Sequence, residues 1–340
     1  MRSILLACLA SALTFSAIAA EPEVPTGAKS RKFEFTYTAT IKAVPDGAKT
    51  VDLWIPIPQS DKYQDIDKVK FHVEGKVPIP EPETGVEPTQ KNKMAHWKLD
   101  AADLAGSKVV MTFECTRREI ATGDLGKSRQ LTEEEKQAYA EYLKANKLVL
   151  VGGDFVATAD EATKGANTPA EILKCAYDYT VSNMKYDKPA DKPGWGQGST
   201  KWACDSKFGN CTDFHALIMS IGRTKGLPVK FEIGFPIPEP VEGKLETMDG
   251  PVGGYHCWAK LYLADIGWVP VDASEAQKHP EKKSYFCGNL CPNRVQFTTG
   301  RDVDLVPKQS GAALNYFVYP YAEADGKPMP VDKAFKFKDL

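Results

Sequence analysis

Along the first third of the chain, apolar and polar residues alternate with a period of two. In KFEFTYTATI, Phe33, Phe35 and Tyr37 share one face with polar residues between them, as in a half-buried strand. TVDLWIPIP, KVKFHVEG, MAHWKLD and KVVMTFECTRREI read as further strands, separated by Pro/Gly clusters such as VPDGAK and VPIPEPETGVEP. Short strands at this spacing predict a β-sandwich over residues 31–120. Near residue 130 the pattern becomes helical. LTEEEKQAYAEYLKANK opens on Thr132 with Glu135 three residues later, and NTPAEILKCAYDYTVSNM repeats the device with Thr168, Pro169 and Glu171, so both predict capped helices. A long stretch, KYDKPADKPGWGQGSTKWACDSKFGN, reads as a loop, and CTDFHALIMSIGRTKG as a helix closing at Gly226. LPVKFEIGF, YHCWAKLYLAD and GWVPVDASEA then supply strands. A helix followed by antiparallel strands makes residues 130–310 an α+β domain. Residues 311–340 are expected to hold one last strand and a polar tail.

The residues before the sandwich change the compartment. MRSILLACLASALTFSAIAA has a basic start, an apolar run and the small-residue pattern Ala17-Ile18-Ala19. It is expected to be a signal peptide, residues 1–20, cleaved after Ala19 or Ala20. No other segment approaches the roughly 18–20 apolar residues of a membrane-spanning helix. The expectation is a secreted or periplasmic protein without a membrane span. Residues 21–30 read as a disordered leader. A formal net charge of −2 and the lack of a Lys/Arg cluster argue against nucleic-acid binding. Of the eight cysteines, Cys8 departs with the signal and seven remain. In an oxidising compartment an odd number leaves one thiol outside the bridges and allows up to three disulfides.

Nucleophilic catalysis by a thiol needs a thiolate, a base and a group that orients the base. Cys211 opens a helix, where free N–H groups and the macrodipole favour an anion. His256 starts a strand in GGYHCW, and Asp272 ends the next in GWVPVDAS. A histidine and an aspartate on neighbouring strands can hydrogen-bond and fix the imidazole tautomer. His215 shares a helix face with Cys211, but helical side chains lean toward the N-terminus. His215 is therefore expected to pack under the nucleophile or bond backbone, and Asp213 to cap the first turn. Cys257 should point opposite His256 and be a core or bridged thiol. His72 and His96 are read as structural.

Cys211, His215, His256 and Asp272 could in principle ligate zinc, yet neither HExxH nor paired CxxC is present. Cys287 and Cys291 are expected to bridge rather than bind metal. No metal or cofactor is expected. For an oxyanion the Cys211 N–H is one donor, with Trp195 and Gln197 in GWGQGS as candidates for the second. Trp258, on the His256 face, is a candidate wall of the site. The acidic loop from Glu239 to Asp249 reads as solvated.

GNCTDFHAL, GYHCWAKLYL and GWVPVDAS together resemble the three core motifs of transglutaminase-like proteins, within the papain-like cysteine peptidase and transglutaminase superfamily. The resemblance covers roughly residues 165–275, and the flanks look like those of exported bacterial members. It implies Cys211 as nucleophile, His256 as base and Asp272 as orienting group, in an α+β papain-like core behind a β-sandwich. The expected activity is thioester-mediated amide chemistry on a protein or peptide, hydrolysis before acyl transfer to amines. The alternative is an inactive scaffold of the same fold. Cysteines 204, 257, 287 and 291 depart from the pattern, and a bridge to Cys211 would silence the site. Oligomeric state is left open.

Overall fold

A computed structural model of the chain describes residues 21, 24–76, 78–126, 128–187, 193–240 and 248–340. The expected signal peptide with Cys8, and residues 241–247 of the acidic loop, lie outside the described residues. The first strands are β1 (Ser30–Thr40), β2 (Thr50–Ile57), β3 (Gln64–Glu74), β4 (Glu83–Val86), β5 (Lys93–Asp100) and β6 (Lys108–Arg118). Six helices follow among the described residues: α1 (Glu133–Ala138), α2 (Val156–Ala162), α3 (Pro169–Asn183), α4 (Thr200–Ser206), α5 (Cys211–Thr224) and α6 (Ala273–Lys278). Between and after the last two run β7 (Val229–Pro236), β8 (His256–Leu263), β9 (Gly267–Val271) and β10 (Arg294–Thr299). The chain ends in β11 (Tyr321–Ala324), β12 (Lys327–Met329) and β13 (Asp332–Asp339).

Two five-stranded sheets form the sandwich. One carries β13-β1-β6-β3, extended at its β13 edge by Asp249–Pro251, and the other runs β12-β11-β2-β5-β4. The alternation in β1 is realised directly, with Phe33, Phe35, Tyr37 and Ala39 buried. The tail differs from expectation. It holds three strands rather than one; β13 pairs with β1, β11 with β2 and β12 with β11, so both ends of the chain build the sandwich. A polar-looking segment such as DKAFKFKD suffices there because only Phe335 and Phe337 face inward.

The third sheet, β9-β8-β7-β10, carries α5 on one face. Its core is continuous with the sandwich: the Phe35 ring centroid lies 5.4 Å from Phe113, 5.3 Å from Phe235 and 5.7 Å from Phe297. Each fully buried aromatic of this kind is worth roughly 1.5–3 kcal/mol, so the cluster fixes one domain against the other. Two local readings also change. The helix expected over residues 132–147 stops after Ala138, where Tyr139 turns inward against Tyr262 and Trp268. The expected long loop contains α4, whose N-cap Ser199 accepts from the Trp202 N–H. Among the described residues no helix is long and apolar enough to cross a membrane.

Candidate active site

Helix α5 begins where the sequence places its start. Asn210 is the N-cap and its side chain accepts from the Thr212 N–H at 3.0 Å. Asp213 completes the capping box by accepting from the Asn210 N–H at 3.0 Å. Its carboxylate also accepts from Gly196 N–H at 2.8 Å and Gly198 N–H at 2.9 Å. The expected cap is therefore also a clamp, tying the GWGQGS loop to the helix start. Burial pushes the Asp213 carboxyl up to about 6, against the pull of these three N–H groups.

Cys211 is the first residue of α5, and its own N–H is among the first-turn donors that have no intrahelical partner. The thiol is 2 % exposed, and His256 and Cys257 are the side chains beside it that act on its ionisation. The imidazole of His256, 4 % exposed, bonds Asp272 through Nε2 at 2.7 Å to Oδ2, which leaves Nδ1 for the thiol. Asp272 does not merely end β9. It is the N-cap of α6, and its Oδ1 accepts from Ser274 Oγ at 3.0 Å and the Glu275 N–H at 3.1 Å. The three residues thus come from a helix start, a strand start and a strand-to-helix turn.

Their charges reinforce one another. Burial alone would raise the Cys211 thiol, but hydrogen bonds from Cys257 and His256 and the His256 charge hold it well below the usual thiol range. For His256, burial favours the neutral ring, and Asp272 overrides it, pushing the imidazole up to about 10. Burial likewise opposes ionisation of Asp272, and His256 and Arg294 hold it well below the usual carboxylate range. Each shift runs in the direction that favours a charged thiol, imidazole and carboxylate side by side.

His215 is not the thiol's partner. Its Nδ1 lies 2.7 Å from the Cys211 carbonyl, and burial keeps the ring neutral. Nδ1 is then the protonated nitrogen, donating to that carbonyl. Nε2 has no hydrogen-bond partner and sits 3.8 Å from Asp272 Oδ1.

Cys257 requires a correction. It does point to the helix-covered face of β8, opposite Trp258, yet that is the face on which α5 begins. The thiol therefore lies beside Cys211 and 3.5 Å from His215 Nδ1. His256 reaches the same point because it is the first residue of its strand, at the sheet edge nearest the helix start. The expected disulfides are not formed: Cys115, Cys175, Cys204, Cys211, Cys257, Cys287 and Cys291 are all free thiols in the structure.

The remaining sequence candidates divide. Trp195 and Gln197 are brought to the rim of the site, but the Trp195 indole donates to the Asp187 carbonyl at 2.6 Å. Gln197 is exposed, and its carbonyl accepts from Arg301 at 3.0 Å and Asn315 at 2.7 Å. Trp258 is fully buried behind His256, its indole donating to Glu232 at 2.6 Å, so it supports the site from behind and lines no opening. Two residues were missed. Tyr255, adjacent to His256, receives a hydrogen bond from Asn210 at 3.0 Å and donates to the Gly196 carbonyl at 3.2 Å. Arg294 donates to Asp272 Oδ2 at 3.0 Å. Among the described residues no cluster of His, Cys, Asp and Glu is arranged to hold a metal ion. The Asp272 oxygens, each already accepting from protein donors, are unsuited to one.

Comparison with known proteins agrees with this architecture. The Transglutaminase-like superfamily model matches residues 156–273, from α2 to the residue after Asp272. An uncharacterized protein of Haemophilus influenzae is 29 % identical, over 87 % of each chain. A solved structure of a proposed cysteine protease from Cytophaga hutchinsonii shares the fold at 13 % identity, with a TM-score of 0.60 and 91 % of each chain covered.

Proposed function

Residues 156–273 belong to the transglutaminase-like superfamily, and we propose that the chain is a cysteine hydrolase of peptide or carboxamide bonds with Cys211, His256 and Asp272 as its catalytic triad. One observation carries the reading: the imidazole beside the buried thiol at the start of α5 holds its Nε2 2.7 Å from a buried carboxylate.

The Cys211 thiolate attacks the carbonyl carbon, and the electron pair moves to the oxygen. The Cys211 N–H stabilises this oxyanion, and the exposed Gln197 side-chain amide supplies a second donor. The His256 imidazolium gives its proton to the leaving amine as the C–N bond breaks, leaving a thioester. His256 then takes a proton from water, the hydroxide adds, and the acid leaves as Cys211 regains the thiolate. Asp272 keeps the imidazole in one tautomer throughout. Water rather than an amine resolves the thioester. The leader expected at residues 1–20 supports an activity outside the cytoplasm, and the similarity to the transglutaminase-like superfamily supports protein or peptide substrates.

The test uses purified protein with fluorescein-labelled casein as substrate, with mass-spectrometric mapping of iodoacetamide adducts at pH 7. Cys211→Ala is expected to lose both casein cleavage and the adduct at position 211. Cleavage that persists in this variant overturns the assignment. Incorporation of dansylcadaverine in place of cleavage replaces hydrolysis by acyl transfer.

A further inference from the structure

When the thiol is ionised and the imidazole protonated, Cys211, His256 and Asp272 together carry a net charge of −1. All three are buried, and an uncompensated buried charge is expensive. The structure supplies a fourth charge. Arg294, on β10 and 2 % exposed, donates through Nη1 to the same Asp272 Oδ2 that accepts from His256. The set is then neutral. A carboxylate has about four lone-pair sites, and four donors occupy them here: His256 and Arg294 on Oδ2, Ser274 and Glu275 on Oδ1.

Arg294 is itself held in place. Its guanidinium lies 4.8 Å from the centroid of the Trp258 ring, and Nη2 donates to Cys291 Sγ at 3.5 Å. Trp258 is fixed in turn by its bond to Glu232. Arg301, buried near the start of α5, is a second cation whose charge reaches Cys257, but its hydrogen bonds go to Asn315, Gln197 and Gly198 and none to the set. The remaining ionisable groups nearby do not balance the charge. His215 and Cys257, under the thiol, stay neutral as burial dictates. Glu275, 3.8 Å from His256 Nε2, is paired with Lys278. Tyr285 is kept protonated by burial, and Cys291 adds no positive charge.

We propose that Arg294 is a positioning residue, which neutralises the buried charge of the Cys211–His256–Asp272 set and turns the Asp272 carboxylate toward the imidazole. The inference rests on the hydrolase reading for its catalytic consequence and makes a prediction that needs no substrate. Without the guanidinium the set restores neutrality by returning a proton to Cys211.

The experiment follows iodoacetamide alkylation of Cys211 against pH, mapped by mass spectrometry, alongside the pH dependence of casein cleavage. Arg294→Gln is expected to move the half-maximal alkylation pH upward by at least one unit, about a tenfold change in the thiol's ionisation constant. The acid limb of kcat/KM should move with it, and kcat should fall with little change in KM. Arg294→Met, which keeps volume against Trp258, should behave likewise, and Arg294→Lys should restore most of the alkylation profile.

An unchanged profile in a folded neutral variant overturns the proposal. So does failure of both neutral variants to fold while Arg294→Lys folds, which would make the charge structural. If wild-type Cys211 itself titrates as an ordinary thiol near pH 8.5, the hydrolase reading fails instead.

Discussion

Replacing Asp213 by alanine tests whether the candidate oxyanion loop is held by the helix cap. The Asp213 carboxylate is buried and accepts three backbone N–H bonds, from Gly196, Gly198 and Asn210, at 2.8–3.0 Å. Removing it leaves three donors without an acceptor. Each unsatisfied buried donor costs about 1–3 kcal/mol, so a destabilisation of roughly 3–6 kcal/mol is expected at pH 7, allowing for water to reach the half-exposed Gly196. The pH dependence adds a signature. Burial raises this carboxyl from near 4 to about 6 in the folded protein. The native state therefore holds a proton that the unfolded chain releases earlier. This contribution is complete below about pH 4 and is lost as pH rises through 6. The gap between wild type and Asp213→Ala should be larger at pH 4 than at pH 7, by up to about 3 kcal/mol. Urea unfolding followed by tryptophan fluorescence at the two pH values reads both quantities. Where the variant is fully folded, kcat on casein should fall about 10²-fold, the scale of one lost oxyanion donor. A variant within about 1 kcal/mol of wild type at both pH values would refute the clamp.

Two further outcomes follow from the same geometry. The His256 imidazole is raised to about 10, chiefly by Asp272 acting against burial, so its stabilisation is present below about pH 6.5 and lost as pH rises through 10. Urea midpoints should fall over that window in the wild type and stay flatter in Asp272→Asn, whose kcat should drop by about 10³–10⁴ as the ring adopts the wrong tautomer; equal slopes for the two proteins would contradict the pairing. Gly234 sits at a bulge between β7 and β10, where an added Cβ would lie 1.8 Å from the Val295 carbonyl oxygen. Gly234→Ala should force β10 away and cost more than about 3 kcal/mol, measured as a lower urea midpoint, and a wild-type midpoint would show that the bulge can relax.

What the sequence made legible is what is local. The period-two runs, the capping boxes at Thr132 and Thr168, and the helix start at Cys211 each depend on residues a few positions apart, so they can be read before the chain folds. The order Cys, His, Asp was legible because each residue sits at the end of its own element. The tail was misread because its strands bury few apolar side chains (Ala322, Ala324, Met329, Phe335 and Phe337) and complete two sheets begun near the other end of the chain, a pairing that periodicity does not encode. Trp195 was a reasonable donor by type, but a buried or half-buried indole takes the nearest acceptor, and here that is the Asp187 carbonyl.

Arg294 left no local signal at all. Its strand reads as an ordinary β-segment, RVQFTT, and its side chain meets Asp272 only because β10 pairs with β7 across the bulge at Gly234. The need for such a residue could nevertheless have been inferred. A thiolate, an imidazolium and a carboxylate buried together leave one negative charge, and a protein that buries them must either leave one group protonated or bring a cation. The sequence offers the three proposed charges, and the tertiary structure brings one of its arginines onto the carboxylate among them. Arg117, also buried and 6.0 Å from the centroid of the Trp258 ring, donates instead to Gln64. Burial and proximity to Trp258 are thus shared by two arginines, and only the hydrogen bond to Asp272 distinguishes the one that can govern the ionisation of Cys211.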